Sequence, residues 1–370
     1  MTLLHRARRG PGPSIGRKAL IKALHVLSAP HHPDRYLELA DPLLAVQHTR
    51  ARITNVDRNI PGAVTLELRP GRPLEFRAGQ HLQLGVVVDG VRHSRSYSPV
   101  SSQHRADGRI QLTVGVRPDG VVSRHLHEHA TAGDVVDLAA AAGEFCLPAE
   151  RPERLVLVSG GSGITPVLSM LRTLADEGHS GTVAFLHYAP TAAHVPHRDA
   201  IESLAGAHAG VDVAFAYTRA DDGALRGRFD RSHLERVAPW FAGAPAYVCG
   251  PAGLVDSVRE VYGDAGAAHL LRTEQFTPPV VVRDDDASGT VTFAASGVRA
   301  ENSGVTALEQ AEAAGLTPQH GCRMGICHSC TVTRLSGGTR DVRTGEIDDE
   351  PGAEVQICVN VPVGDAAFDL

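Results

Sequence analysis

Residues 152 to 178 read PERLVLVSGGSGITPVLSMLRTLADEG. Leu155 to Val158 form an almost unbroken apolar run, the pattern of a strand buried on both faces, and apolar residues recur at helical spacing after the glycines. Strand, Gly-rich turn and helix in that order predict one unit of a parallel sheet with helices on its faces. Downstream, TVAFLHYA and VDVAFAYT read as further strands separated by helical segments, and PAYVCGPAGLVDSVREVY gives another strand, turn and helix. Residues 151 to 278 are therefore expected to form an α/β domain with a parallel sheet.

Working outward, residues 46 to 150 change to short alternating runs, among them AVTLELRP, QHLQLGVVVDG and RIQLTVGVRP. About six strands punctuated by Gly, Pro and Asp indicate an antiparallel β-barrel or sandwich. One helix is expected to interrupt it, beginning in GVVSRHLHEH. On the other side, prolines and charge in TPPVVVRDDDASG mark a linker, placed at 279 to 287. Residues 288 to 370 read as a small α+β unit whose one helix, in TALEQAEAAG, starts at Thr306 and ends at Gly315. Residues 1 to 45 form an N-terminal extension in which Leu20, Leu24 and Leu27 oppose Lys18 and Lys22. That is a short basic amphipathic helix, stopped by Pro30 and Pro33.

The 370 residues exceed one ordinary core and suit several domains. No stretch reaches the roughly 18 apolar residues of a membrane-spanning helix, and none reads as a secretory signal. A cytoplasmic protein is expected, with contact to a membrane surface through the basic helix as the alternative. In a reducing compartment clustered cysteines are metal ligands or catalytic groups more often than disulfides. The net charge of -6 is uneven: residues 1 to 35 carry +6 and residues 284 to 370 carry -9. Separate partners for the two ends are expected, with no nucleic acid among them.

Three of the six cysteines lie in HGCRMGICHSCTV, residues 320 to 332. Cys322, Cys327 and Cys330 have the spacing C-x4-C-x2-C, and Cys358 follows in QICVN. This is the plant-type ligand pattern of a 2Fe-2S cluster, whereas zinc would favour paired C-x2-C knuckles. Gly321 and Gly325 let backbone approach such a cluster closely. In RSYS, an arginine suited to phosphate, Arg95, shares a strand face with an aromatic suited to stacking, Tyr97; Ser96 and Ser98 flank it. Alone this is also the pattern of a core tyrosine. It gains weight from Gly120, Val121, Val122 and Ser123, where a helix N-terminus can receive pyrophosphate. GGSGITP, with Gly161, Gly163, Thr165 and Pro166, is a second phosphate-binding turn, and Cys249, Gly250 and Pro251 end a later strand, where ligands gather in a parallel sheet. Cys146 reads as core packing. His125, His127 and His129 do not share a helix face and read as no metal site.

These motifs in this order resemble the ferredoxin-NADP reductase superfamily, and the tail resembles a plant-type ferredoxin domain of β-grasp type. The order flavin, nicotinamide, ferredoxin is similar to three-part reductases that feed oxygenases and desaturases, and looks closest to actinobacterial reductases of fatty-acyl desaturases. The resemblance implies that Arg95 and Ser123 hold flavin phosphates, Tyr97 stacks on the ring and Ser98 meets its N5 edge. It implies further that Cys249 sits near the hydride-donating carbon, with Glu274 and Phe276 beside the flavin. Thr218 and Arg219, helped by Arg228, match the pair that holds a 2'-phosphate. NADPH is expected over NADH, and FAD over FMN. The implied partner is a separate iron-dependent desaturase or oxygenase, membrane-embedded in the case of a desaturase. Two alternatives remain: a reductase for a soluble ring-hydroxylating or diiron oxygenase, and a redox sensor in which the cluster reports instead of transferring.

Overall fold

The structure, a computed structural model, describes residues 34–45, 49–118, 120–220, 222–276, 287–321, 323–325 and 328–370. The expected basic helix, nearly all of the expected linker, and Asp119, Cys322 and Cys327 lie outside the described residues. A short helix, α1 (Asp34–Ala40), which the sequence reading did not anticipate, precedes three domains. No helix among the described residues is long and apolar enough to cross a membrane.

The first domain holds β1 (Thr49–Asp57), β2 (Ala63–Pro70), β3 (Leu82–Val88), β4 (Val91–Tyr97), β5 (Ile110–Gly115) and β6 (Val135–Leu138), with α2 (Val121–His129) before β6. The order is β4-β3-β6-β1-β2-β5, and every pair is antiparallel. Alternation turns Ala51, Ile53, Leu66, Leu68, Leu82, Leu84 and Leu112 inward, as a period-two pattern requires. A bridge between Pro99 and Leu112 ties the segment after β4 to β5 and curls the sheet toward a barrel.

The second domain contains β7 (Arg154–Gly160), α3 (Ile164–Asp176), β8 (Thr182–Ala189), α4 (Arg198–Ala207), β9 (Val211–Tyr217), β10 (Leu225–Arg226), α5 (Arg231–Val237), β11 (Ala246–Cys249), α6 (Ala252–Asp264) and β12 (Leu271–Glu274). All strands are parallel, in the order β10-β9-β8-β7-β11-β12. One face buries Val156, Val158 and Val248 against Val255, Val258 and Tyr262 of α6. The other buries Leu155, Leu157 and Phe185 against α3 together with Ala78, Val100, Phe145 and Leu147 of the barrel. The two domains thus share one apolar core. Polar groups stitch its rim: Ser169 Oγ donates to the Ser101 carbonyl at 2.8 Å, and Arg172 Nη1 to that of Val100 at 2.8 Å. Thr113 Oγ1 meets His197 Nε2 at 2.7 Å. Burial holds that imidazole down to about 4, so it stays neutral at the seam.

The third domain comprises β13 (Thr290–Phe293), β14 (Val298–Glu301), α7 (Ala307–Ala313), β15 (Thr331–Asp341), β16 (Ile347–Asp348), β17 (Glu354–Gln356) and β18 (Asn360–Phe368). Its mixed sheet runs β14-β13-β18-β15-β16, with β13 and β18 parallel and β17 paired to β15. Thr306 caps α7 as the sequence predicts. Its hydroxyl accepts from the Glu309 amide at 3.3 Å while the Glu309 carboxylate accepts from the Thr306 amide at 3.2 Å. The helix lays Ala307, Leu308 and Ala311 on Val291, Phe293 and Phe368, a core confined to this domain.

Arg334 is wholly buried in that domain. It donates to Thr339 Oγ1 at 2.7 Å and to the carbonyls of Asp348 at 2.5 Å and Glu350 at 2.9 Å, and pairs with the Asp348 carboxylate at 3.0 Å. Removing a buried cation that satisfies so many acceptors strands them. Arg334→Met is expected to cost on the order of 3 kcal/mol of third-domain stability, read as an earlier urea transition for that domain.

Candidate functional site

Pairing of β3 with β4 sets Leu84 opposite Arg95 and Leu82 opposite Tyr97, so the two β4 residues share a face as alternation predicts. Burial pushes the Tyr97 phenol up to about 12, leaving an uncharged ring. Ser96 Oγ and Ser98 Oγ are buried and have no hydrogen-bond partner among the described residues. Native structures rarely leave such groups orphaned, and a ligand with a polar edge would satisfy them. The first turn of α2 carries no side-chain cap at Gly120. Ser123 Oγ is already engaged locally, accepting from the Arg117 amide at 3.2 Å and donating to the Gly120 carbonyl at 3.3 Å. The hydroxyl therefore braces the turn, and the amides of Val121, Val122 and Ser123 remain for an anion.

In the second domain Gly161 takes a left-handed φ of 54°. Gly163 rests against β11 so closely that a Cβ there would lie 2.2 Å from the Cys249 carbonyl oxygen. Thr165 Oγ1 donates to the Ser162 carbonyl at 3.2 Å, and Pro166 is buried in the first turn of α3. Register places Cys249 beside Ser159 on one side and beside Glu274 on the other. Gly250 and Pro251 then lead into α6. Burial pushes the Cys249 thiol well up, and neighbouring Glu274 adds to the shift. Burial likewise raises the Glu274 carboxyl to about 8, and its Oε2 has no hydrogen-bond partner among the described residues. Both groups are thus uncharged near neutral pH. Phe276 packs on the core shared with the barrel. The sequence reading missed a further polar pair in this row: Ser159 Oγ lies 2.9 Å from Nδ1 of fully buried His187, whose imidazole burial holds down to about 3.

Thr218 and Arg219 follow β9 and are exposed. Leu225 and Arg226 pair with Ala216 and Tyr217, so Arg228 and Arg219 each stand two residues past the same register pair. Neither guanidinium has an ion-pair partner among the described residues. Two exposed cations at the carboxyl end of parallel strands suit a phosphate.

In the cysteine loop, Cys330 and Cys358 are buried, and the Ile357 amide donates to the Cys330 carbonyl at 3.3 Å, bringing the two segments together. Arg323, Gly325 and His328 have left-handed φ of 56°, 71° and 55°. Left-handed residues within a tight loop turn successive amides inward, the arrangement that receives iron-sulfur clusters. The sequence pointed to the glycine but not to the other two. Arg323 pairs with Glu312 of α7 at 2.5 and 3.0 Å, and Arg343 donates to the Gly325 carbonyl at 2.7 Å, so both flanks of the loop are anchored. Among the described residues, which leave out Cys322 and Cys327, no three His, Cys, Asp or Glu side chains gather as a metal site. The reading of Cys146 as core is corrected: it is half-buried, while its neighbours Phe145 and Leu147 enter the core.

Gly163→Ala forces a methyl onto a carbonyl and is expected to lower the thermal midpoint of the first two domains together while sparing the third. Glu274 holds a proton in the fold up to about pH 8 that the unfolded chain releases near its ordinary 4.5. Its contribution is complete below that lower value and is lost as pH rises toward 8, at up to roughly 1.4 kcal/mol per unit. Urea midpoints of the native chain should therefore fall over that window relative to those of Glu274→Gln.

Three family models match the chain in order: an oxidoreductase FAD-binding domain at residues 55–146, an oxidoreductase NAD-binding domain at 157–260, and a 2Fe-2S iron-sulfur cluster binding domain at 291–362. An NADPH oxidoreductase of Mycobacterium tuberculosis is 38% identical over 364 residues, covering 96% of this chain and 93% of that protein. A glycine betaine monooxygenase reductase subunit of Pseudomonas aeruginosa is 29% identical over 319 residues, covering 80% of this chain and 87% of its own. Among solved structures, phthalate dioxygenase reductase aligns with a TM-score of 0.60 at 26% identity, over 87% of this chain and 98% of that one. Domain order, folds and this relationship agree: the chain belongs to the ferredoxin-NADP reductase superfamily, as a three-domain oxidoreductase that binds FAD, NAD(P)H and a 2Fe-2S cluster.

Proposed function

We propose that the chain draws electrons from NADPH and passes them, through its own FAD and 2Fe-2S cluster, to a separate iron-dependent oxygenase. The observation that carries this reading is the set of buried oxygens without partners among the described residues, Ser96 Oγ, Ser98 Oγ and Glu274 Oε2. Ser98 and Glu274 each lie two residues from a residue packed in or on the shared core, Val100 and Phe276. A flavin edge between the two domains would satisfy them. When bound, FAD accepts a two-electron hydride and releases electrons singly, which suits a plant-type cluster near about -400 mV.

The chain's own groups then divide the work. Arg95 and the amides of Val121, Val122 and Ser123 would hold the flavin phosphates, and Tyr97 would stack on the ring. Ser98 donates to the N5 edge, while Glu274, protonated near neutral pH, keeps a proton there without repelling incoming hydride. Gly161, Gly163, Thr165 and Pro166 seat the nicotinamide dinucleotide at the start of α3. Cys249, with Gly250 and Pro251, offers an uncharged, water-excluding wall beside the nicotinamide carbon. Phe276 covers the flavin face where that ring enters. Thr218, Arg219 and Arg228 take the 2'-phosphate, which favours NADPH over NADH. Cys322, Cys327, Cys330 and Cys358 hold the cluster.

The similarity to a glycine betaine monooxygenase reductase subunit and to phthalate dioxygenase reductase supports a separate oxygenase as acceptor. The -9 charge of residues 284 to 370 suits a basic docking face on it. A membrane desaturase is a second reading, favoured by the +6 charge of residues 1 to 35. Removing residues 1 to 40 should then abolish pelleting with anionic vesicles, and unchanged pelleting would count against that reading.

Cys327→Ser is expected to abolish NADPH-driven reduction of cytochrome c while flavin reduction and ferricyanide turnover persist. Loss of all three, or of none, would contradict this electron path. Arg219→Ala should raise KM for NADPH about tenfold or more, the worth of a charge-assisted bond, and leave KM for NADH unchanged.

A further inference from the structure

The barrel and the second domain share a core, whereas the apolar core of the third domain is its own. Domains joined without a common core move relative to one another unless polar contacts hold them. One such contact reaches the cysteine loop. Gln83, half-buried in β3, donates through Nε2 to Ser329 Oγ, the residue immediately before Cys330. Its Oε1 accepts from Ser94 Oγ at 2.8 Å, which fixes the orientation of the amide. The Ser94 carbonyl in turn accepts from Arg95 Nη1 at 2.7 Å, and Gln83 stands opposite Ser96 in the β3–β4 pairing. The RSYS segment, Gln83 and the cluster loop thus form one continuous polar chain. His328, on the other side of Ser329, is held in a left-handed conformation, so the loop presents this hydroxyl in a defined direction.

We propose that Gln83 is the positioning residue that docks the cluster loop on the flavin barrel for internal electron transfer. The inference rests on the electron path set out above. In the step it serves, one electron leaves the reduced flavin and converts a ferric iron of the oxidised cluster to ferrous; NADPH is the source. Gln83 touches neither reacting group and acts through Ser329. A polar contact, unlike a shared apolar core, also lets the third domain leave the barrel so that the reduced cluster can meet its acceptor.

The test uses the full chain with FAD and cluster bound, as Gln83→Leu, Ser329→Ala, the double variant and Ser329→Thr. Stopped-flow mixing with NADPH should show flavin reduction and ferricyanide turnover unchanged in all four. Cluster reduction, followed by freeze-quench EPR, should slow about fivefold in each alanine or leucine variant, the equivalent of one hydrogen bond of about 1 kcal/mol. The double variant should be no slower than either single one, because both remove the same bond. Ser329→Thr, which keeps the hydroxyl, should restore the native rate. Small-angle X-ray scattering of the oxidised proteins should show a larger radius of gyration for Gln83→Leu and Ser329→Ala than for the native chain. Native cluster-reduction rates and an unchanged radius in both would overturn the docking role while leaving the electron path intact. If Gln83→Leu loses its flavin, Ser329→Ala decides alone, since it alters the opposite side of the contact. A native chain whose flavin is reduced but whose cluster never is would overturn both proposals.

Discussion

The backbone of α3 comes to rest directly on the Cys249 carbonyl because Gly163 has no side chain to hold the two apart. That contact fixes the start of α3 against β11, and β11 carries β12 beside it in register, which sets Glu274 next to Cys249. The opposite constraint acts along the rest of the helix. Its apolar face must be buried, and the barrel residues Ala78, Val100, Phe145 and Leu147 complete its cover. One close approach therefore governs the placement of the glycine turn, a row of buried polar groups and a whole neighbouring domain.

The two ends of the molecule follow different electrostatic rules. At the seam between the first two domains, burial drives Glu274, Cys249, His187 and His197 to their neutral forms, and Arg172 at its rim is the cation that ties the domains together. On the proposed path this lack of anions suits hydride, which anions repel. The third domain instead keeps its acids exposed and anchors its cysteine loop by ion pairs such as Arg323 with Glu312. A charged, wet surface suits a partner that must arrive, dock and leave. The first seam is an apolar core, whereas the contact of Gln83 with the cysteine loop is polar.

Much of this was legible in the sequence. Cysteine spacing, strand alternation and the two glycine turns are local signals, and the sheets, the capped helix at Thr306 and the shared face of Arg95 and Tyr97 follow from them. What escaped was non-local or short. The strand β12 spans four residues, two of them Arg272 and Thr273, too few and too polar to show a period, so Glu274 was reachable only through resemblance. Gln83 gave no signal, since an outward glutamine in a strand is ordinary until the partner loop is in place. The left-handed Arg323 and His328 were hidden because propensity assigns that conformation to glycine, whereas here ion pairs and the loop's closure impose it. Cys146 misled because its apolar neighbours, and not the thiol, face inward.

The central claim is that reducing equivalents enter at the seam and leave through the cysteine loop of the same molecule. Anaerobic addition of NADPH to the intact chain, with absorbance and EPR recorded on one sample, tests it most directly. Bleaching of the flavin, followed by the EPR signal of a reduced 2Fe-2S cluster, is expected without any added carrier. Flavin bleaching with no cluster signal at any ratio of NADPH to protein would contradict it.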